Sequence, residues 1–254
     1  MSVVIEKGRG NPDTFWELID CWGEAKLCEV KNIKSGVSVW TQGKKSIFLD
    51  HSPQKRDLGL TGDNYLRANE LFKDDIPWIF WVRHPRYYNS YRSEFDVKSY
   101  GERHLNSIFI GRFENSVQQK NRPMIWSHYV DRFTLNPGRP KYNHAEYLDS
   151  VSSAKFGLCL PGYGPKCNRD IELMGLGTVP IVTPGVCTRY YNPIKEGVHY
   201  VRVDQPEDIP EKIKSISKDK WEEMSKNCLD WYEENCSIEG SFLTTKYIIE
   251  NEFN

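Results

Sequence analysis

Residues 154–183 read AKFGLCLPGYGPKCNRDIELMGLGTVPIVT, and this stretch decides the fold. Its apolar run Phe156-Gly-Leu-Cys-Leu160 stops at Pro161 and Gly162, the pattern of a strand covered on both faces. The loop from Gly162 to Asn168 carries two glycines, Lys166, and an Asn suited to capping a helix that begins near Arg169. Gly175 and Gly177 end that helix, and Val179-Pro-Ile-Val182 returns as the next strand. Strand, glycine loop and helix start in that order make an anion site, because unpaired helix N–H groups and partial positive charge face the loop. Arg169 adds a bidentate donor fork. Glu172, about one turn further on, projects from nearly the same helix face and can accept from vicinal hydroxyls such as those of a ribose. An ordinary capped strand–helix turn is the bland alternative.

The whole string is more specific than its loop. It resembles the donor-nucleotide segment of GT-B glycosyltransferases, most closely the exostosin-like group, on Ser153, Lys155, Phe156, Arg169, Glu172, Gly177, Val179, Pro180 and Ile181. The resemblance implies that Arg169 contacts a donor diphosphate and Glu172 the ribose, with Gly162, Tyr163, Gly164, Lys166 and Asn168 around them. It extends to Ser107-Ile-Phe-Ile-Gly-Arg112, similar to the strand that opens the family's donor domain, with Arg112 at its C-terminal mouth. Arg122 matches a recurring basic position, and Glu196-Gly-Val-His-Tyr200 with Val201-Arg-Val203 resembles the loop and strand after the nucleotide site. In all, the resemblance covers residues 105–235 and fades toward the N-terminus.

What it implies is an α/β, GT-B-like fold: two Rossmann-like lobes facing a cleft, with a reduced N-terminal lobe. Residues 1–102 form the acceptor-side lobe, 103–235 the nucleotide-sugar donor lobe, and 236–254 a C-terminal helix crossing back to the first lobe. The implied activity is inverting transfer of a sugar from a nucleotide-diphosphate donor, UDP-xylose or a UDP-hexose, to a glycan hydroxyl. No cofactor is needed beyond that cosubstrate.

The coarse pattern agrees with strand–helix alternation in two halves. Val3-Val4-Ile5 reads as a strand, and Pro12 opens a helix with Phe15, Trp16, Leu18, Ile19 and Trp22 at amphipathic spacing. Lys26 to Ile33, Ser46 to Leu49 and Pro77 to Val82 read as strands, the last two nearly continuous in apolar residues and therefore central. Thr61-Gly62-Asp63 precedes Tyr65, Leu66, Ala68, Asn69 and Phe72, read as a helix. Beyond Ser107 the alternation resumes and ends in helices over Lys218 to Glu234 and Phe242 to Glu250, with the cut between lobes at Val97 to Leu105.

The chain has 254 residues, 39% of them hydrophobic, and a formal net charge of -1, enough for one large or two small cores. A near-neutral balance without a K/R-rich run excludes general nucleic-acid binding. No run of about 18 apolar residues spans a membrane, and the opening MSVVIEKGRG is not a signal peptide. The expected location is the cytoplasm, of a bacterium or of a virus-infected host. Seven cysteines without metal spacing fit reduced thiols better than a disulfide framework.

Inverting transfer needs a group that takes the acceptor proton. Asp50 and His51 follow the apolar Ser46-Ile-Phe-Leu49, and His84 follows Pro77 to Arg83, each at a strand end. They rank in that order as candidates, against the alternatives of a turn cap for Asp50 and backbone-bonded histidines. Among the aromatic residues, Trp78 and Trp81 read as core, whereas Tyr87 and Tyr88 beside Arg86 are candidate acceptor contacts. Asp-x-Asp, the usual element for a divalent ion on donor phosphates, does not occur, so Arg112, Lys166, Arg169 and helix N–H groups are expected to meet the diphosphate charge without a metal. Two other readings stay open. Trp81-Val-Arg-His-Pro85 with Ser90-Tyr91 resembles the 3′-phosphate element of sulfotransferases that use the adenylated sulfonate donor PAPS, although Gly43-Lys44-Lys45-Ser46 precedes its strand where that family's phosphate loop follows one. A non-catalytic nucleotide- or carbohydrate-binding module is the other.

Overall fold

A computed structural model describes residues 2–8, 14–33, 38–50, 65–68, 75–112, 116–136 and 143–253. The chain divides into two compact units: Met1–Ser93 with Arg189–Pro193 and Glu233–Asn254, and Glu94–Thr188 with Ile194–Tyr232.

The first unit begins β1 (Val3–Lys7), α1 (Thr14–Glu24), β2 (Glu29–Asn32), β3 (Ser38–Gln42), β4 (Lys45–Asp50), β5 (Tyr65–Arg67) and α2 (Pro85–Ser93). Its sheet order is β2-β1-β3-β4-β5. β1 with β2 and β4 with β5 are parallel, whereas β3 pairs antiparallel with both β1 and β4. The sheet is therefore mixed and departs from an all-parallel Rossmann lobe at β3. The cause is local: Gly43-Lys44 joins β3 to β4 as a two-residue hairpin loop, and Gly43 has the positive φ of 63° that such a turn demands at its first position.

Two expectations fail here. Pro77 to Val82 joins no ladder among the described residues; its apolar run reflects burial of Trp78 through Val82 in the core, which periodicity cannot separate from a buried strand. The helix read through Tyr65 and Leu66 is a strand instead, paired Phe48 to Tyr65, Leu49 to Leu66 and Asp50 to Arg67. Asn69 and Phe72 of that segment lie outside the described residues, as does His51.

In the second unit come β6 (Leu105–Arg112), α3 (Ser116–Asn121), a 3-10 turn (Met124–His128), β7 (Arg132–Asn136), α4 (His144–Ser152), β8 (Ala154–Cys159), α5 (Asn168–Gly175), β9 (Val179–Val182), β10 (Val201–Arg202), α6 (Ile209–Lys214) and α7 (Lys218–Asn235). The last residues of α7 count with the first unit, as does α8 (Ile238–Glu252). All strand pairs of the second sheet are parallel, in the order β7-β6-β8-β9-β10. β6 is thus flanked by β7 and β8, and the chain reverses direction across the sheet between β6 and β8. In open α/β sheets that switch point, at the C-terminal strand ends, is where ligands bind. Phe109, Phe156, Leu158, Val179, Ile181, Val201, Trp221 and Met224 form the core beneath it.

The first unit's core is aromatic. Phe15 meets Trp78 and Trp81 at centroid distances of 5.4 and 4.6 Å, and Phe242 of α8 packs on Trp22 and Trp40 at 5.8 and 5.1 Å. Two of its indole N–H groups are satisfied from α8: Trp22 Nε1 donates to Ser241 Oγ at 2.9 Å, and Trp78 Nε1 to Thr245 Oγ1 at 2.9 Å. A buried indole N–H is stabilised by such an acceptor, which accounts for the Ser241 and Thr245 hydroxyls on the buried side of α8.

Candidate functional site

α5 is seated by glycine at both ends of its packing. Gly157 on β8 leaves room for Leu173: a Cβ there would lie 2.3 Å from Leu173 Cδ2. The helix ends in a Schellman motif, with Gly177 N–H donating to Met174 O at 3.0 Å, Thr178 N–H to Leu173 O at 2.9 Å, and Gly177 at φ 66°. Arg103, fully buried, donates to Leu176 O, Ala154 O and Thr178 Oγ1 at 2.8, 2.8 and 2.7 Å, pinning this end of α5 to the start of β8. Burial brings its pKa down to about 10. At the N-terminus the cap is Cys167, not Asn168: the Cys167 N–H donates to Asp170 Oδ2 at 3.2 Å, and Asn168 is the first helical residue.

That seat aims Arg169 across the switch point. Its Nε donates to Ile110 O of β6 at 3.1 Å, and its guanidinium lies 4.3 Å from the centroid of Phe109. Arg122, in the turn after α3, approaches from the other side, with Nε donating to Pro161 O at 3.2 Å and Nη1 to Arg112 O, over the same Phe109 ring at 5.9 Å. Two glycines make the approach possible. A Cβ on Gly111 would stand 3.0 Å from Arg169 Nη2, and one on Gly162 would stand 3.0 Å from Arg122 Nη2. Both cations are sealed from bulk water, at 8% and 4% exposure, and Arg169 Nη1 is buried without a hydrogen-bond partner.

The electrostatics follow from that burial. The Arg122 pKa falls to about 10, first through desolvation and then through the like charge of Arg169. Burial opposes Arg169's charge too, but Tyr147, Cys167, Asp170 and Cys159 around it hold its pKa above the ordinary arginine value. Asp170 is pushed up to about 6 by burial, against the pull of Arg169. A doubly charged anion between two such guanidinia would supply the counter-charge that one partly neutralised carboxylate does not.

Of the other expected donor residues, Gly162 and Lys166 are buried, Gly164 and Asn168 half-buried and Tyr163 exposed. Gly162 O accepts from Asn121 Nδ2 at 3.0 Å, which ties the loop to α3. Arg112 is half-buried at the end of β6. Glu172 is 3% exposed and its Oε2 accepts from Tyr147 Oη at 2.7 Å. Arg122, Arg169, Glu172 and the 162–168 loop are thus gathered at one sheet end. Tyr147 and Arg103 escaped the sequence reading because both act through long-range contacts; a basic residue just before a strand carries no local sign of its partners.

The candidate bases lie in the first unit. Asp50, at the end of β4, is 2% exposed and accepts from Arg67 Nε at 2.9 Å, while Arg67 Nη1 donates to Asp75 Oδ2 at 3.1 Å. A carboxylate sealed in this ion triad does not stand at an open strand mouth, so a proton-acceptor role does not follow from its position. His84 is exposed at the head of α2, has a φ of 55°, and holds Nδ1 3.6 Å from Glu17 Oε2. Tyr88 is fully buried, which removes it as an acceptor contact, whereas Tyr87 is exposed. In the segments of the sulfonate-donor reading, Gly43-Lys44 is a hairpin loop, and Pro77 to Val82, which leads into α2, joins no ladder among the described residues.

No family model matches the chain, and no curated protein matches it. Among solved structures, it is similar to a sucrose-phosphate synthase from Thermosynechococcus elongatus at 12% identity and a TM-score of 0.42, over 81% of this chain and 58% of that one. The chain thus spans little more than half the length of that synthase. A likeness at this level assigns neither fold nor function. Among the described residues no helix is long and apolar enough to cross a membrane.

Proposed function

We propose that this protein is a glycosyltransferase that takes a sugar from a nucleotide-diphosphate donor, with UDP as the nucleotide, and passes it to a glycan hydroxyl with inversion. The observation that carries the reading is the unpartnered Nη1 of a buried arginine, set beside a second buried arginine at the switch point of a parallel sheet. Retaining two desolvated cations against each other costs stability, so a ligand that neutralises both is the physical reason for the arrangement. The diphosphate would sit between Arg122 and Arg169 with the loop glycines close to it, and Glu172 would accept from the ribose. Cation charge on the leaving diphosphate makes a divalent metal unnecessary. Of the described base candidates, His84 beside Glu17 is the proton acceptor we favour.

Calorimetry with UDP, UDP-sugars, ADP and adenosine 3′,5′-bisphosphate tests the reading, with EDTA present throughout. We expect UDP to bind, and Arg169→Ala, folded by circular dichroism, to lose about 1.5–3 kcal/mol of that affinity, the value of a charge-assisted hydrogen bond. A ligand at a hundred times its dissociation constant should also add about 2.7 kcal/mol to stability. No binding of any nucleoside diphosphate, or an unchanged affinity in the variant, refutes the assignment, and a response to the bisphosphate alone points to sulfonate transfer.

A further inference from the structure

The geometry points to Tyr147 as the residue that positions Glu172 for recognition of the donor ribose, an inference that rests on the nucleotide-diphosphate reading above. α4 and α5 flank the same strand: α4 packs on β6 and β8, α5 on β8 and β9. The bond from Tyr147 Oη to Glu172 Oε2, at 2.7 Å, is a direct polar link between the two helices. Tyr147 is itself oriented, since His144, one turn earlier on α4, stacks on its ring at a centroid distance of 5.9 Å and an interplanar angle of 23°.

A glutamate has three rotatable side-chain bonds, and holding it in one geometry costs conformational entropy. Here that cost is met within the folded protein, because the phenol fixes one carboxylate oxygen before any ligand arrives. A carboxylate offers lone pairs on both oxygens, so accepting from a phenol leaves it able to accept from a hydroxyl as well. The partner that suits it is a donor hydroxyl at fixed distance from a phosphate: Glu172 stands one helical turn from Arg169 on α5, as a ribose diol stands beside the phosphate of a nucleotide. Tyr147 is thus a positioning residue whose output is discrimination of ribo- from 2′-deoxyribonucleotides.

The test compares UDP with 2′-deoxy-UDP by calorimetry in wild type, Tyr147→Phe, Glu172→Gln and the double variant, at constant salt. Wild type should prefer UDP by about tenfold or more, as a site built around a substrate hydroxyl does. Tyr147→Phe, which keeps the ring and its stacking, should cut that preference to about threefold or less while 2′-deoxy-UDP affinity holds. In the Glu172→Gln background the same change should have no further effect, because Tyr147 acts through Glu172. A purely structural tyrosine would weaken both ligands equally, and that result, a preserved preference, or additive effects in the double variant overturns the inference while leaving the nucleotide-diphosphate reading in place. Equal binding of both ligands by wild type overturns it too. Failure of wild type to bind either one sinks the underlying reading instead.

Discussion

Gly157→Ala tests how α5 is held, and the structure fixes the size of the effect. A methyl group at this position would lie 2.3, 2.5 and 2.9 Å from Cδ2, Cδ1 and Cγ of Leu173, a side chain with no exposed surface. Ordinary carbon contacts are about 3.5–4.0 Å, so the nearest pair must separate by more than about 1 Å. Turning the methyl groups of Leu173 does not relieve the clash, because Cγ is itself too close. α5 must therefore move outward, or Leu173 must leave its rotamer, and overpacking of this kind costs about 1–3 kcal/mol. Arg169 and Glu172 ride on the same helix, so UDP affinity should fall with stability. Urea unfolding read by hydrogen exchange at the β8 amides reports this unit by itself. Leu173→Ala alone should cost about 2–5 kcal/mol through the cavity it leaves. In the double variant the two errors fill each other, and the sum of the single costs should exceed the double by about 1–3 kcal/mol. A Gly157→Ala protein within about 0.5 kcal/mol of wild type, the range of an inconsequential surface change, or strictly additive costs would refute the argument.

Three further outcomes follow from other parts of the molecule. Ser241→Ala should destabilise the first unit by about 1–3 kcal/mol, because Trp22 Nε1 loses its acceptor inside an aromatic core; thermal unfolding measures it, and a neutral result would mean that the indole finds another partner. The pKa of Asp170 is raised from its ordinary 3.8 to about 6, so its favourable contribution is complete below 3.8 and is lost as pH rises through about 6. Two pKa units correspond to on the order of 3 kcal/mol. Asp170→Asn keeps the acceptor for the Cys167 N–H and should flatten stability between pH 4 and 7, and an unchanged pH slope would assign that dependence elsewhere. His84→Asn, which tolerates the left-handed backbone of His84, should lower sugar transfer about 10²–10⁴-fold with UDP affinity unchanged, and a fully active variant removes His84 as the base.

The sequence by itself determined the local events around the candidate site. The apolar run of β8, the glycine loop, the helix carrying Arg169 and Glu172, and the Gly177 stop each rest on contacts within a few residues, so the order strand, loop, helix, strand was legible. The hairpin between β3 and β4 was equally local, since a glycine-first two-residue turn is a strong signal, and reading Gly43-Lys44 only as a failed phosphate loop hid it. Tertiary structure alone decided the rest. Arg122 meets Pro161 and Arg112, and Arg169 meets Ile110, only because the sheet order brings the ends of β6 and β8 together. Asp50 becomes part of an ion triad because Arg67, 17 residues away, pairs beside it through β5 and overrides the helical pattern of its own segment. Sequence spacing sets what a residue can do with its near neighbours. Which desolvated charges share one site depends on strand order, and that is a property of the whole sheet.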